Sequence, residues 1–145
     1  MQLNANRSNT KTKLFLETKD RDGLKPYAEF KSYGGWDPDS KQYVPMNFTD
    51  MVIDTDAGDS ATNYALDSIT LSYESGTFQD TESFLKGAFA SPRDLFTLCE
   101  QLHDYKFWLN ERHFYAFLDL LNWDESEMRT YEEVADALEQ AFENL

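Results

Sequence analysis

Along the first half of the chain, apolar and polar residues alternate. Residues 13–18 (KLFLET) set Leu14 and Leu16 on one side, and residues 27–33 (YAEFKSY) set Ala28 and Phe30 together. A period of two predicts half-buried strands. Residues 42–45, 50–55 (DMVIDT) and 67–74 (DSITLSYE) read the same way, the last with Ile69, Leu71 and Tyr73 on one face. The links carry turn chemistry: KDRDG at 19–23, GGWDPDSK at 34–41 and DAGDSATN at 56–63. Short links favour antiparallel order, so the expectation is an N-terminal antiparallel sheet of four or five strands. Residues 1–12 show no such pattern and are expected to be mobile.

The second half changes period. A short helix is expected over about 80–88. Ser91 then offers an N-cap, Pro92 a first helical position and Asp94 an acidic group near the positive end of the helix dipole. Leu95, Leu98, Cys99 and Leu102 follow as an apolar stripe. Asn110 can cap the next helix, with Phe114, Phe117, Leu118 and Leu121 facing inward. Thr130 and Glu133 form a capping box for a last helix, whose inner face is Tyr131, Val134, Leu138, Phe142 and Leu145. The predicted class is therefore α+β in one domain spanning 1–145, strands first and three or four helices after.

Composition makes a folded domain the expectation: 41% of the 145 residues are hydrophobic and 15% aromatic, enough for a core. A single cysteine, Cys99, excludes an intrachain disulfide and favours a cytoplasmic setting. No run approaches the ~18 apolar residues of a membrane span, and MQLNANRSNTKTK carries no secretory h-region.

Charge changes the picture most. There are 27 acidic and 13 basic side chains, a net charge of −14. Residues 1–25 carry six basic groups against three acidic ones. Residues 37–80 carry nine acidic groups against Lys41 alone, and residues 119–145 nine against Arg129 alone. Blocks of one sign point to interaction surfaces rather than uniform solvation. Such a field repels nucleic acid and anionic lipid, and it speeds encounter with basic surfaces. On the last helix Glu132, Asp136, Glu139 and Glu143 form one stripe, and no Lys or Arg occurs in 130–145 to pair with it. The stripe spans roughly 16 Å, with carboxylates spaced comparably to, though more closely than, the phosphates of one nucleic-acid strand.

Catalytic and cofactor signatures do not fill the remaining space. The segment IDTDAGDS (53–60) resembles a calcium loop. With Asp54 at position 1 and Asp56 at 3, however, Gly58 falls at 5, Asp59 at 6 and Ala65 at 12, where an EF-hand needs an oxygen ligand, glycine and glutamate. The pairs Asp37/Asp39 and Asp54/Asp56 lack a glycine-rich phosphate cradle. Neither a P-loop, a G-x-G-x-x-G nor a G-x-S-x-G occurs. Cys99 and His103 share a helical face and could join His113 on zinc, but without close paired spacing they read as core or cap residues. The expectation is no enzyme, no cofactor and no metal. Tyr33, Trp36 and Tyr43 form an aromatic group, and Trp36 in its Gly-Gly loop is expected to be exposed and to anchor a protein contact.

On the acidic runs 50–59 (DMVIDTDAGD) and 124–143 (DESEMRTYEEVADALEQAFE), this chain resembles, as a class, the DNA-mimic inhibitors of phages and mobile elements, of antirestriction and anti-CRISPR type. The resemblance implies a partner-binding surface for a basic nucleic-acid-binding protein such as a CRISPR nuclease or restriction enzyme, with no direct contact to nucleic acid or membrane. The residues expected to form it are Asp54, Asp56, Asp59, Glu132, Asp136, Glu139 and Glu143, with Trp36 or Tyr43 as apolar anchor. The competing readings are an acidic adaptor or immunity-type protein for another basic partner, and a metal-dependent enzyme using Asp54, Asp56 and Asp59.

Overall fold

Serine, threonine and alanine fill the spaces between larger side chains over residues 58–74, and hydroxyls among them bond back to carbonyls of their own segment. The computed structural model describes residues 30–55, 58–104, 108, 110–124 and 129–145. In it Gly58–Glu74 is one helix, α2. Thr62 Oγ1 donates to Gly58 O and Ser72 Oγ to Ile69 O, each at 2.8 Å. Hydroxyls bonded to their own helix can be buried without an outside partner. Tyr64, Ala65, Leu66, Ser68, Ile69 and Ser72 are all buried, so α2 is enclosed on nearly every side.

The preceding helix α1, Phe48–Thr55, buries Phe48 and Met51. Its first turn is closed from a distance: the Thr49 N–H donates to Asp94 Oδ1 at 2.8 Å, and the Thr49 and Thr97 hydroxyls meet at 2.7 Å. This serves N–H groups that an isolated helix leaves unsatisfied.

These two helices overturn the predicted class. The strands expected at 50–55 and 67–74 are helical, and the expected loop at 56–63 is helix from Gly58 onward. Lys31–Tyr33, expected as strand, is a single 3-10 turn. The α+β arrangement with four or five strands gives way to a mostly helical fold. Its sheet, among the described residues, is one antiparallel hairpin of β1 (Gly35–Asp37) and β2 (Gln42–Val44), the latter matching the strand expected at 42–45. Expectations for 1–29 and for Asp56 lie outside the described residues.

The hairpin register pairs Trp36 with Tyr43. Asp37 organises its turn, accepting from the Asp39 N–H at 3.0 Å and the Ser40 hydroxyl at 2.9 Å. Lys31 lies 3.3 Å from Asp37 and 3.0 Å from Asp39. The hairpin enters through Gly34 and Gly35, at φ 95° and 101°. A Cβ on Gly35 would lie 2.5 Å from the Tyr64 hydroxyl, and that hydroxyl donates to Gly34 O. Glycine is required there both by conformation and by space.

The later helices follow their local signals. They are α3 (Thr81–Gly87), α4 (Pro92–Leu102), α5 (Glu111–Leu120) and α6 (Tyr131–Glu143). Asn110 Oδ1 caps α5 by accepting from the Arg112 N–H at 2.7 Å. Thr130 and Glu133 close the capping box of α6 in both directions. Pro92 opens α4, but Ser91 turns its hydroxyl to Asp94 Oδ2 at 2.8 Å instead of capping the backbone. Helix α2 packs against α1, α4, α5 and the hairpin, while α6 packs on α4 and α3. Leu95, Leu98, Cys99 and Leu102 meet Val134, Ala135 and Leu138 within one core, joined by a chain of edge-on rings through Phe78, Phe84, Phe89 and Phe117. Among the described residues no helix is long and apolar enough to cross a membrane.

Candidate partner-binding surface

Helix α4 packs against α1, α2 and α6, and its C-terminal end is approached by the start of α2 and by the first turns of α6. On the α1–α2 side, Thr62 Oγ1 contacts Gln101 Oε1 at 3.4 Å, and a Cβ on Gly58 would sit 2.9 Å from the same oxygen. The start of α2, carrying exposed Asp59, thus rests on the last turn of α4. On the other side His103, the C-cap of α4, faces α6. Its Nδ1 is 3.5 Å from Glu132 Oε2 and its Nε2 3.6 Å from Asp136 Oδ1. Exposed Glu100 and Asp104 belong to the last turn of α4 and the residues just after it.

The sequence-predicted residues divide as follows. Asp54 is exposed in the last turn of α1; Glu132, Asp136 and Glu143 are exposed on α6, and Glu139 is half-buried beside them. The last turns of α1, α4 and α6 contain no basic residue. The C-terminal carbonyls of α4 add negative potential at His103, where α6 brings its first turns, and the C-terminus of α6 lies farther off, beyond Phe142 and its contact with Phe96. Cys99 lies beneath this surface. Burial pushes its thiol up to about 12, with the carboxylates of Glu139 and Asp136 adding to the effect, so it is an inert core group.

The aromatic anchors are corrected. Trp36 is 7% exposed in β1, not displayed by a loop. The Tyr43 ring packs edge-on against Phe78 at 4.9 Å, and its hydroxyl is enclosed without a hydrogen-bond partner. Burial pushes its pKa well above the ordinary range. Exposed apolar surface lies elsewhere. A groove of about 560 Å³ between α1 and α4 is lined by Val52, Ile53, Arg93, Phe96, Glu100 and Gln101. Ile53 is 63% exposed and Phe96 37%, and Phe96 stacks edge-on with Phe142 of α6 at 5.6 Å. An apolar strip therefore runs across α1, α4 and α6 next to the carboxylates. A helical reading of 48–55 would have exposed Ile53 as an outward apolar residue.

The chemical alternatives also resolve into structure. Asp37 and Asp39 serve the hairpin turn. Asp54 and Asp59 sit at the end of one helix and the start of the next, not along a calcium loop. Cys99, His103 and His113 do not gather: His113 is buried in α5 and meets Asp67 of α2 at 2.6 Å, while His103 stands with Asp136 and Glu139. Sequence reasoning missed both histidine partnerships, which join residues 29 or more positions apart.

Comparison with protein-family models, with curated proteins and with solved structures returned no match.

Proposed function

We propose that this chain is an acidic binding protein that works in the cytoplasm without catalysing a reaction. It occupies the basic nucleic-acid-binding surface of a partner such as a CRISPR nuclease or restriction enzyme, in the manner of a DNA mimic. The observation that carries the reading is the convergence of two acidic segments on the C-terminal end of α4. Glu132, Asp136 and Glu139 gather at His103 on one side, Asp59 at the start of α2 lies on the other, and exposed Glu100 and Asp104 belong to the end of α4 itself; Asp54 in the last turn of α1 and Glu143, farther along α6 beside Phe142, extend the acidic surface beyond it. Lysine and arginine side chains that bind phosphates would find carboxylates at comparable spacing, and could not then hold nucleic acid. Ile53, Phe96 and Phe142 add an apolar strip that nucleic acid does not offer, which favours a protein partner and slows dissociation.

The test is a pull-down and cleavage assay against CRISPR nucleases and type I restriction enzymes across a salt range. Binding that blocks cleavage at low salt and weakens by at least roughly tenfold between about 50 and 200 mM salt supports the reading. No binding to any basic nucleic-acid enzyme at low salt removes it. Binding to a basic protein that leaves that protein's hold on nucleic acid intact would instead favour an adaptor or immunity-type role.

A further inference from the structure

One histidine, His103, stands among three carboxylates of α6 at the end of α4. Both ring nitrogens of His103 face carboxylates, Nδ1 to Glu132 at 3.5 Å and Nε2 to Asp136 at 3.6 Å. Both separations exceed hydrogen-bond length. Glu139, one helical turn beyond Asp136, completes a set in which one ligand atom from each of His103, Asp136 and Glu139 lies within 4.8 Å of the others. Donor atoms around a tetrahedral ion bound at about 2.0–2.1 Å are roughly 3.3–3.4 Å apart. The Nε2–Oδ1 distance is near that value, and a rotation of the Glu139 side chain would bring in the third donor.

We propose that His103, Asp136 and Glu139 bind one divalent first-row transition ion of the zinc class, with water at the fourth position. Nitrogen plus carboxylate oxygen is the donor set such ions take, and alkaline-earth ions prefer oxygen alone. Glu132 has the role of the outer carboxylate. Lying 3.5 Å from Nδ1, it would close on the Nδ1–H of His103 when the ion binds and so fix the tautomer that presents Nε2 to the ion. Asp136 and Glu139 share a face of α6 at a spacing of three, and His103 comes from the end of α4, so the ion ties the two helices together. The inference stands independently of the partner-binding reading, since it concerns these side chains alone.

The test titrates the full chain, stripped with a chelator, with Zn²⁺ and Co²⁺. One equivalent binds, and the melting temperature rises by about 5–10 °C at a roughly hundredfold excess over Kd. His103→Ala weakens binding by roughly a hundredfold or more, and Glu132→Gln by roughly tenfold. Cys99→Ala and Glu143→Gln leave binding unchanged. Imidazole NMR on the unmutated chain gives a second readout: the His103 resonances shift with Zn²⁺ while those of His113, enclosed against Asp67, stay in place. Unchanged Zn²⁺ affinity in His103→Ala, loss of binding in Cys99→Ala, or no shift of the His103 resonances up to about 1 mM Zn²⁺ overturns the proposal and leaves the group as an ion pair.

Discussion

Two parts of the molecule use carboxylates in opposite ways. Where α2 meets α5, each acidic side chain has a specific partner. Asp67 meets His113 at 2.6 Å, Glu74 takes two bonds from Arg112 at 2.8 and 3.2 Å, and Asp119 accepts from the Tyr73 hydroxyl. On α6 the outer carboxylates have His103 nearby, and among the described residues Glu139 and Glu143 have no Lys or Arg partner. The first arrangement fixes two helices against each other. The second leaves negative charge displayed toward solvent, which contributes little to folding and much to long-range attraction of a cation. Residue type alone does not separate the two; position against the neighbouring helix does.

The largest effect on stability is expected at the paired interface. Asp67→Ala leaves the buried His113 without its partner, whose Nδ1 already has none, and should cost about 2–3 kcal/mol in chemical denaturation. A loss below about 0.5 kcal/mol would mean that the pair does not hold α2 to α5. Arg112→Ala, which removes a two-pronged but partly exposed bond, should cost about 1 kcal/mol. Thr130→Ala tests the capping box of α6 and should cost a similar amount, about 1 kcal/mol, read as a lower denaturation midpoint.

Asp37 sharpens the same contrast by pH. Burial works against its carboxylate, but the bonds from Ser40, the Asp39 N–H and Lys31 outweigh it and hold the pKa below the ordinary value of 3.8. Stability from this group is present above the unfolded value and is lost as pH falls through the lower folded value. Asp37→Asn should therefore remove part of the stability loss seen below about pH 4. A variant with the same acid limb as the natural chain would contradict the assignment. The smallest effect belongs to the displayed face: Glu139→Gln with Glu143→Gln should change stability by no more than about 0.5 kcal/mol, whereas a large loss would show that these groups serve the fold.

How much of this was legible in the sequence follows from the range of each interaction. Asn110 and the Thr130–Glu133 pair act within three residues, so α5 and α6 could be placed from their caps, and the stripes through Phe117 and Val134 marked their buried faces. Helix α2 could not be read that way. Because it is buried on nearly all sides, it lacks a 3.6-residue rhythm, and its serine and threonine hydroxyls between Ile69, Leu71 and Tyr73 imitate a strand. Helix α1 depends on Asp94, forty-five positions away, to finish its first turn. The acidic stripe was visible as a helical period. That Asp59 and Asp136 flank the same end of α4 depends on how α1, α2 and α6 pack around it, which no local pattern records. Trp36 was misjudged because its Gly-Gly neighbours suit a hairpin entry as well as a loop.

Under the proposed function, carboxylates around the end of α4 and along α6 occupy a cationic surface that otherwise holds nucleic acid. This is tested most directly by displacement of labelled DNA from a candidate nuclease, comparing the natural chain with the Asp136→Lys, Glu143→Lys variant. The natural chain is expected to displace DNA at low salt, and the variant, folded to the same melting temperature within about 2 °C, to need at least roughly tenfold more protein to do so. Equal displacement by both proteins would contradict it.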